Sequence, residues 1–369
     1  DFRHGVRSVK GTLKAELSPL TYEPVFAQVL AGTFAAGGTS TGLTVTTVAA
    51  VAGTSPATAE RTSGSWVADG FKIGDVINFS GFTAGAAANN ARNFRITGII
   101  QTSSAFDTLQ LGPTPSASST VVDVPNATEV LVAATAASGI GATVVGKKLV
   151  TPLAGSMVDA SFALEHWFSD ISQSELFTGC RASKVSVQLP PNGLGTVDFD
   201  FMGQNMAIGS AQYFTAAAAV STSAVTTAVS GLLRVNGHDY AIVTGLNFTI
   251  NPGYTPETVV GSAVTPYLFP GIQDVTGQFT ALFIDEGLNT AFLNESEIQL
   301  QVMLNLTVAA NTAFISFFFP RIKLTSASKD DKPGAIVQTI GFQALNQING
   351  GAGTIYDETT VVIQDSLAT

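Results

Sequence analysis

A strand-then-helix pattern occurs twice in this chain, and it limits the possible folds more than any other feature. Val9-Lys10-Gly11-Thr12-Leu13-Lys14-Ala15 aligns with Val275-Thr276-Gly277-Gln278-Phe279-Thr280-Ala281, with Val, Gly and Ala identical. The same offset sets Leu17 against Phe283, Tyr22 against Leu288 and Phe26 against Phe292. Apolar and polar residues alternate through 6–17, the period of a strand with one buried face. After the break at Ser18-Pro19, Tyr22, Val25, Phe26, Val29 and Leu30 follow the stripe of a helix that buries one side. Pro24 falls in the first helical turn, where its missing N–H is harmless, and Thr21 is the expected N-cap. In the second copy Asp285 is the expected cap.

Each copy continues into a long hairpin. Residues 174–189 read as an extended strand, Pro190-Pro191-Asn192-Gly193 as a turn, and 195–202 as a return strand with Val197, Phe199 and Phe201 on one face and Thr196, Asp198 and Asp200 on the other. Phe177 and Arg181 match Phe317 and Arg321, while Gly193, Thr196, Phe199 and Phe201 match Gly334, Val337, Ile340 and Phe342 with a one-residue shift. Because strand, helix and hairpin recur in the same order, the chain is read as two tandem copies of one β-rich unit. The first copy carries a long insertion. Within it 76–79, 94–100 and 108–111 are strand-like, with Asp69-Gly70 and Gly74-Asp75 as turns, the pattern of a small β-barrel. Flanks rich in Ala, Ser, Thr and Gly surround it.

Charge is scarce. Only 12% of residues are charged, against roughly 25% in an ordinary soluble domain, and the formal net charge is −10. The acidic balance excludes a basic nucleic-acid binder, and 45% apolar residues exclude charge-driven disorder. The single cysteine, Cys180, excludes an internal disulfide framework and a cysteine zinc site, and reads as a buried structural thiol. The uncharged run 28–59 is broken by glycines and threonines and does not read as a membrane span; no charged-then-apolar leader opens the chain.

Catalytic constellations are thin. His4, His166 and His238 are far apart and form no metal-ligand spacing. There is no phosphate loop and no GxSxG nucleophile turn. Gly237-His238-Asp239-Tyr240 reads as a turn between strands, and Asp330-Asp331, flanked by lysines, as a solvated hairpin tip. Asp198 and Asp200 share a strand face but lack an acid–base partner in the sequence. No cofactor, metal site or enzymatic activity is expected.

The residues nevertheless resemble a known family. The run 161–173 (SFALEHWFSDISQ), Phe177-Thr178-Gly179-Cys180-Arg181, 183–203, 243–251 (VTGLNFTIN), Val259-Val260-Gly261-Ser262, Pro270-Gly271, 275–283 and 291–297 are similar in kind and order to the tail tube proteins of long-tailed, siphovirus-type bacteriophages. Residues 64–82 resemble a barrel seen inserted in such proteins. The resemblance implies a mainly β chain with two tandem tail-tube sandwich or barrel units, each with one packed helix, and an inserted small β-barrel. The expected division is 1–40 with 151–210 as the first unit, 41–150 as the insertion, 211–230 as a connector and 231–369 as the second unit.

The resemblance also implies a virion protein, assembled in the host bacterial cytoplasm, whose rings stack into a tube. That tube holds the tape-measure protein, meets tail terminator and distal tail proteins, and passes DNA transiently into the host, with no membrane anchor. Two units per chain predict rings of three copies with pseudo-sixfold symmetry; six copies are the alternative. Low charge then fits a subunit walled by neighbours, and an acidic lumen would repel phosphate. Asp198 and Asp200 are the expected lumen-facing acids. The rival reading is a secreted or surface carbohydrate-binding adhesin, which predicts exposed aromatic clusters; the two tryptophans, Trp66 and Trp167, argue against it.

Overall fold

A computed structural model describes residues 5–51, 54–101, 107–112, 129–153, 155–216, 221–227, 231–236, 238–239, 243–283, 286–307, 309–330 and 334–368. The chain is mainly β. It begins with β1 (Val9–Glu16), α1 (Glu23–Val29) and β2 (Ala35–Ala36). There follow β3 (Thr39–Val48), β4 (Ala57–Arg61), β5 (Val76–Ser80), a 3-10 turn at Ala84–Ala91, β6 (Phe94–Gln101), β7 (Asp107–Leu111) and β8 (Ala134–Val144). Next come β9 (Lys147–Val150), β10 (Phe162–Phe168), β11 (Gln173–Leu189), β12 (Thr196–Gly203) and β13 (Asn205–Gly209). The remainder holds β14 (Gly231–Val235), β15 (His238–Asp239), β16 (Val243–Asn251), β17 (Thr255–Glu257), β18 (Tyr267–Phe269), β19 (Asp274–Leu282), α2 (Gly287–Leu293), β20 (Glu297–Asn305), β21 (Phe314–Asp330), β22 (Val337–Ala344) and β23 (Val362–Asp365).

One long sheet runs in the order β1-β12-β11-β16-β19-β22-β21 and continues through β20 to β14. It contains the same three-strand ladder twice. Leu13 pairs with Phe199 and Gly11 with Phe201; Phe279 pairs with Ile340 and Gly277 with Phe342. Both hairpins carry a bulge at the matching place, between Ala182 and Lys184 and between Leu324 and Ser326. The ladder therefore makes Ala182 and Leu324 equivalent. Phe177 and Arg181 then correspond to Phe319 and Lys323, two residues beyond the Phe317 and Arg321 that sequence matching selects. The bulge is common to both copies; the hairpin from Ser326 to its partner Gly341 is one residue shorter than that from Lys184 to Asp200, so no single offset fits both strands.

Alternation decides which face is buried. On β12, Val197, Phe199 and Phe201 point into the core, and α1 covers them. Phe26 of α1 touches Phe199 of the first unit and Phe317 of the second, with ring centroids 5.8 and 5.9 Å apart, so a single core joins the two units. Gln28 is buried on the same helix. Its Oε1 accepts from the Ala182 N–H and its Nε2 donates to the Tyr254 hydroxyl, which satisfies an otherwise costly buried amide.

The helix ends differ from the sequence expectation. Tyr22, not Thr21, is the N-cap of α1, and no side chain caps it; the Thr21 hydroxyl instead meets Ser18. For α2 the N-cap is Glu286, and Asp285 lies outside the described residues. Both helices stop in the same way. Ala31 and Glu295 take φ of 49° and 50°, and Gly32 and Ser296 donate back to Ala27 and Ala291. These matched ends align Phe26 with Thr290 rather than with Phe292.

Strands β3-β4-β7-β6-β5-β8 close into a barrel. Its interior is filled by Trp66, Phe71, Phe79, Phe94, Leu109 and Ile140, all fully buried. The barrel is inserted in the first unit's sequence but seats on the second unit. Phe318 and Val362 complete its core, and Val76 packs with Met303 and Phe314. Gln364 accepts from Val76 N–H and donates to the carbonyls of Val76 and Val145. Two buried charge clusters span the same junction. Glu129 binds Arg95 of β6 at 2.8 Å and Arg234 of β14 at 3.0 Å. Lys148 bridges Asp75 at 3.1 Å and Asp357 at 2.8 Å.

Candidate functional site

From β1 to β22, and along 323–330 of β21, the face of the long sheet turned away from the helices is polar; farther along β21 and on β20 the same face is covered by the barrel, through Phe318 and Met303. Directly paired residues lie on one face, so rows can be read across the strands. One row runs Lys14, Asp198, Ser186, Thr249, Thr276, Gln343, Lys323. The next runs Glu16, Thr196, Gln188, Asn247, Gln278, Gly341, Ser326. Small hydroxyl and amide side chains dominate the middle. They hydrogen-bond one another across strands, as Ser186 and Thr249 do at 3.1 Å. The middle of the face is therefore made of neutral hydroxyl and amide groups, with the charged side chains toward its ends.

Asp198 and Asp200 both lie on this face, as the strand alternation requires. Each sits opposite a lysine that sequence reading did not connect to it. Asp198 faces Lys14 across the β1–β12 ladder. Asp200 accepts from the Thr12 hydroxyl at 2.6 Å and lies 3.6 Å from the Lys184 ammonium. The signal was present in the alternation of β1, but pairing partners 184 residues apart are set by the fold. The positions of the second unit equivalent to Asp198, Asp200, Lys14 and Lys184 hold Thr339, Gly341, Thr280 and Ser326, so the first unit carries aspartate–lysine pairs where the second carries none.

The sheet is open at both ends of this face. Among the described residues β1 pairs only with β12, and residues 324–330 of β21 pair only with β22. Open edges invite pairing with another chain, and here they carry lysines and serines: Lys10 and Lys14 on one, Ser326, Ser328 and Lys329 on the other.

The remaining sequence candidates are dispersed. Cys180 is buried in β11 and its thiol pKa is pushed up by burial, the opposite of an activated nucleophile. His166 is exposed on β10 against Phe168. His238 and Asp239 form β15, whereas Gly237, Tyr240 and Asp331 lie outside the described residues, as does His4. Among the described residues no three His, Cys, Asp or Glu side chains cluster as a metal site, and no helix is long and apolar enough to cross a membrane.

Residues 1–344 match a family model described as phage tail tube protein. No curated protein matches the chain.

Proposed function

The chain belongs to the phage tail tube protein family, a structural component of the phage tail, and from that premise we propose that the polar face of the long sheet lines the tube's channel. The observation that carries this reading is the sheet itself: one face is apolar and covered by helices, the other is polar from β1 to β22 and along 323–330 of β21, and the strands at both ends of that polar stretch have open edges among the described residues. Copies joined edge to edge would close such a sheet into a ring. Two like units in one chain make three copies the natural ring, with pseudo-sixfold symmetry. The channel would hold the tape-measure protein and then pass DNA, and its ends would meet terminator and distal tail proteins. The role is non-enzymatic, and the particle is a siphovirus-type virion assembled in the host cytoplasm.

The chain is organised, in this reading, as a first unit of 1–40 with 151–210, an inserted 41–150, a connector 211–230 and a second unit 231–369. Asp198 and Asp200 face the lumen. With Lys14 and Lys184 beside them, they hold local charge near balance rather than presenting bare acid. A wall of hydroxyls, amides and paired charges offers DNA no array of free cations and so no counterion-release binding.

Negative-stain microscopy and native mass measurement of isolated rings test the proposal. Hollow striated tubes built of three-chain rings are expected. Six chains per ring would overturn the stoichiometry, and glycan-binding monomers would overturn the whole reading.

A further inference from the structure

Asparagine amides are among the thermolabile groups of proteins. An asparagine followed by glycine is the most open to attack by the next main-chain nitrogen, because no Cβ crowds the approach. Such pairs stand at 192–193, 236–237 and 349–350. Gly237 lies outside the described residues, and the structure holds the other two pairs very differently. Asn349 sits in a closed turn. The Gly350 N–H donates to the Gln347 carbonyl at 2.9 Å, and the Gly351 N–H to the Tyr356 carbonyl at 2.9 Å. Gly350 packs so tightly that an added Cβ would lie 2.4 Å from the Asp357 carbonyl. Lys72 Nζ fixes the loop further by donating to the carbonyls of Gly351 and Thr354. Turning the Gly350 nitrogen toward the Asn349 side chain would undo these contacts.

Asn192 and Gly193 are exposed at the end of the β11–β12 hairpin. The ladder closes with Gln188 opposite Thr196. Past the pair, Leu194 bridges Thr227, and the Gly195 N–H donates to the Thr226 carbonyl at 3.0 Å. Before it, Pro190 and Pro191 have no N–H to anchor. Among the described residues neither the Asn192 side chain nor the Gly193 N–H has a hydrogen-bond partner in the protein. The pair is an untied stretch between two fixed ends, so its nitrogen is free to reach the neighbouring amide.

We propose that Asn192 is a site of self-modification, converted to aspartate and isoaspartate through a cyclic imide that the Gly193 nitrogen closes. The Gly193 nitrogen loses its proton to solvent hydroxide and bonds to Asn192 Cγ. The Cγ–Nδ2 bond breaks, and Nδ2 leaves as ammonia with a proton taken from water. Water then opens the imide. Cleavage at Cγ gives aspartate with the main chain restored, and cleavage at the main-chain carbonyl gives isoaspartate, with the chain rerouted through the side chain. One water is consumed, one ammonia is released, and nothing is oxidised or reduced. Each conversion adds a negative charge to a chain of formal net charge −10, and isoaspartate also lengthens the hairpin end by one methylene. The fraction converted therefore records the age of the folded subunit. The inference stands whether or not the subunit builds a tube.

Timed peptide mapping of the purified full chain tests it. Folded protein is held in mildly alkaline buffer, digested at intervals in mild acid, and its peptides are weighed, with isoaspartate scored by enzymatic methylation. The peptide containing Asn192 should gain the mass of deamidation roughly tenfold faster than the peptide containing Asn349. Its product should be mostly isoaspartate, and its rate should rise with pH. In urea the two rates should converge, because the fold is what separates them. No conversion at Asn192 while a synthetic peptide copying 189–196 converts would overturn the site. Equal rates at Asn192 and Asn349 in the folded chain would overturn the role given to the fold. Aspartate without isoaspartate would mean direct hydrolysis and would overturn the attack by Gly193.

Discussion

Glu129 is the residue whose loss the fold should feel most clearly. Its carboxylate is buried, accepts from Arg95 Nε and Nη2 and from the Arg95 main-chain N–H, and also receives Arg234 Nη2. Burial alone would raise its pKa, but Arg95 and Arg234 outweigh burial and bring it down from 4.5 to about 2. At ~1.4 kcal/mol per tenfold change in proton affinity, that gap corresponds to roughly 3 kcal/mol. Glu129→Gln keeps the shape but removes the charge that two buried guanidinium groups share. Breaking a buried ion pair from one side costs about 3–5 kcal/mol, in line with the first figure.

The sign follows from the direction of the shift. A carboxylate whose pKa falls on folding stabilises fully above its unfolded value near 4.5, and this contribution is lost as the pH drops toward about 2. Urea unfolding of dispersed subunits provides the assay. Trp66 lies inside the barrel, so Trp167→Phe leaves it as the sole indole reporter. At pH 7 Glu129→Gln should lower the unfolding free energy by about 3 kcal/mol, and the difference from wild type should narrow steadily below pH 4.5. Equal midpoints at pH 7, or a difference that does not change with acidification, would refute the reasoning.

Other outcomes follow from the packing. Phe26→Ala removes the ring that joins the two units' cores and should cost ~3–5 kcal/mol in thermal or chemical unfolding. Gly74→Ala places a methyl into the Phe318 ring at φ 95°; the expected loss is ~2–4 kcal/mol, read as a lower first transition of the barrel. Replacing both Asp198 and Asp200 by Lys removes the carboxylates that face Lys14 and Lys184 and adds two more cations beside them. Phage carrying that change should eject DNA more slowly, with a delay that shrinks as salt rises, and unchanged ejection kinetics would remove the aspartates from the channel wall.

The parts of the fold legible in the sequence are those governed by local period. The alternation of 6–17 and 195–202 yields β1 and β12, and the short apolar runs of the insertion yield β5, β6 and β7. β8 was hidden because Ala134–Val144 is built from small residues whose strand conformation is imposed by neighbours on both sides. β13 is not singled out by the sequence, although Asn205–Gly209 extends the β11 ladder. Thr21 does not cap α1 because its hydroxyl meets Ser18 and the helix starts one residue later, at Tyr22. At the candidate site, the facing of Asp198 and Asp200 followed from alternation, whereas their lysines did not. Glu129 left no trace at all: it sits in a Ser/Thr/Ala-rich stretch, and Arg95 and Arg234 lie 34 and 105 residues away.

The seating of the barrel imposes an order on synthesis. Its strands are complete by Val144, but Phe318, Asp357, Val362 and Gln364, which hold it, are made far later. At about 5–20 residues per second the barrel emerges on the order of ten seconds before its seat exists. With Trp66, Phe79 and Phe94 enclosed, it has a core of its own and can wait as a folded bead on a tether. β23 is then the latch. It pairs with β21 on one side and β9 on the other, and its Val362 enters the barrel core, so a strand made more than 200 residues after the barrel fastens it to the body. A nascent chain stalled before Val362 carries a finished barrel that can meet Phe318 and Met303 but lacks the strand that latches it.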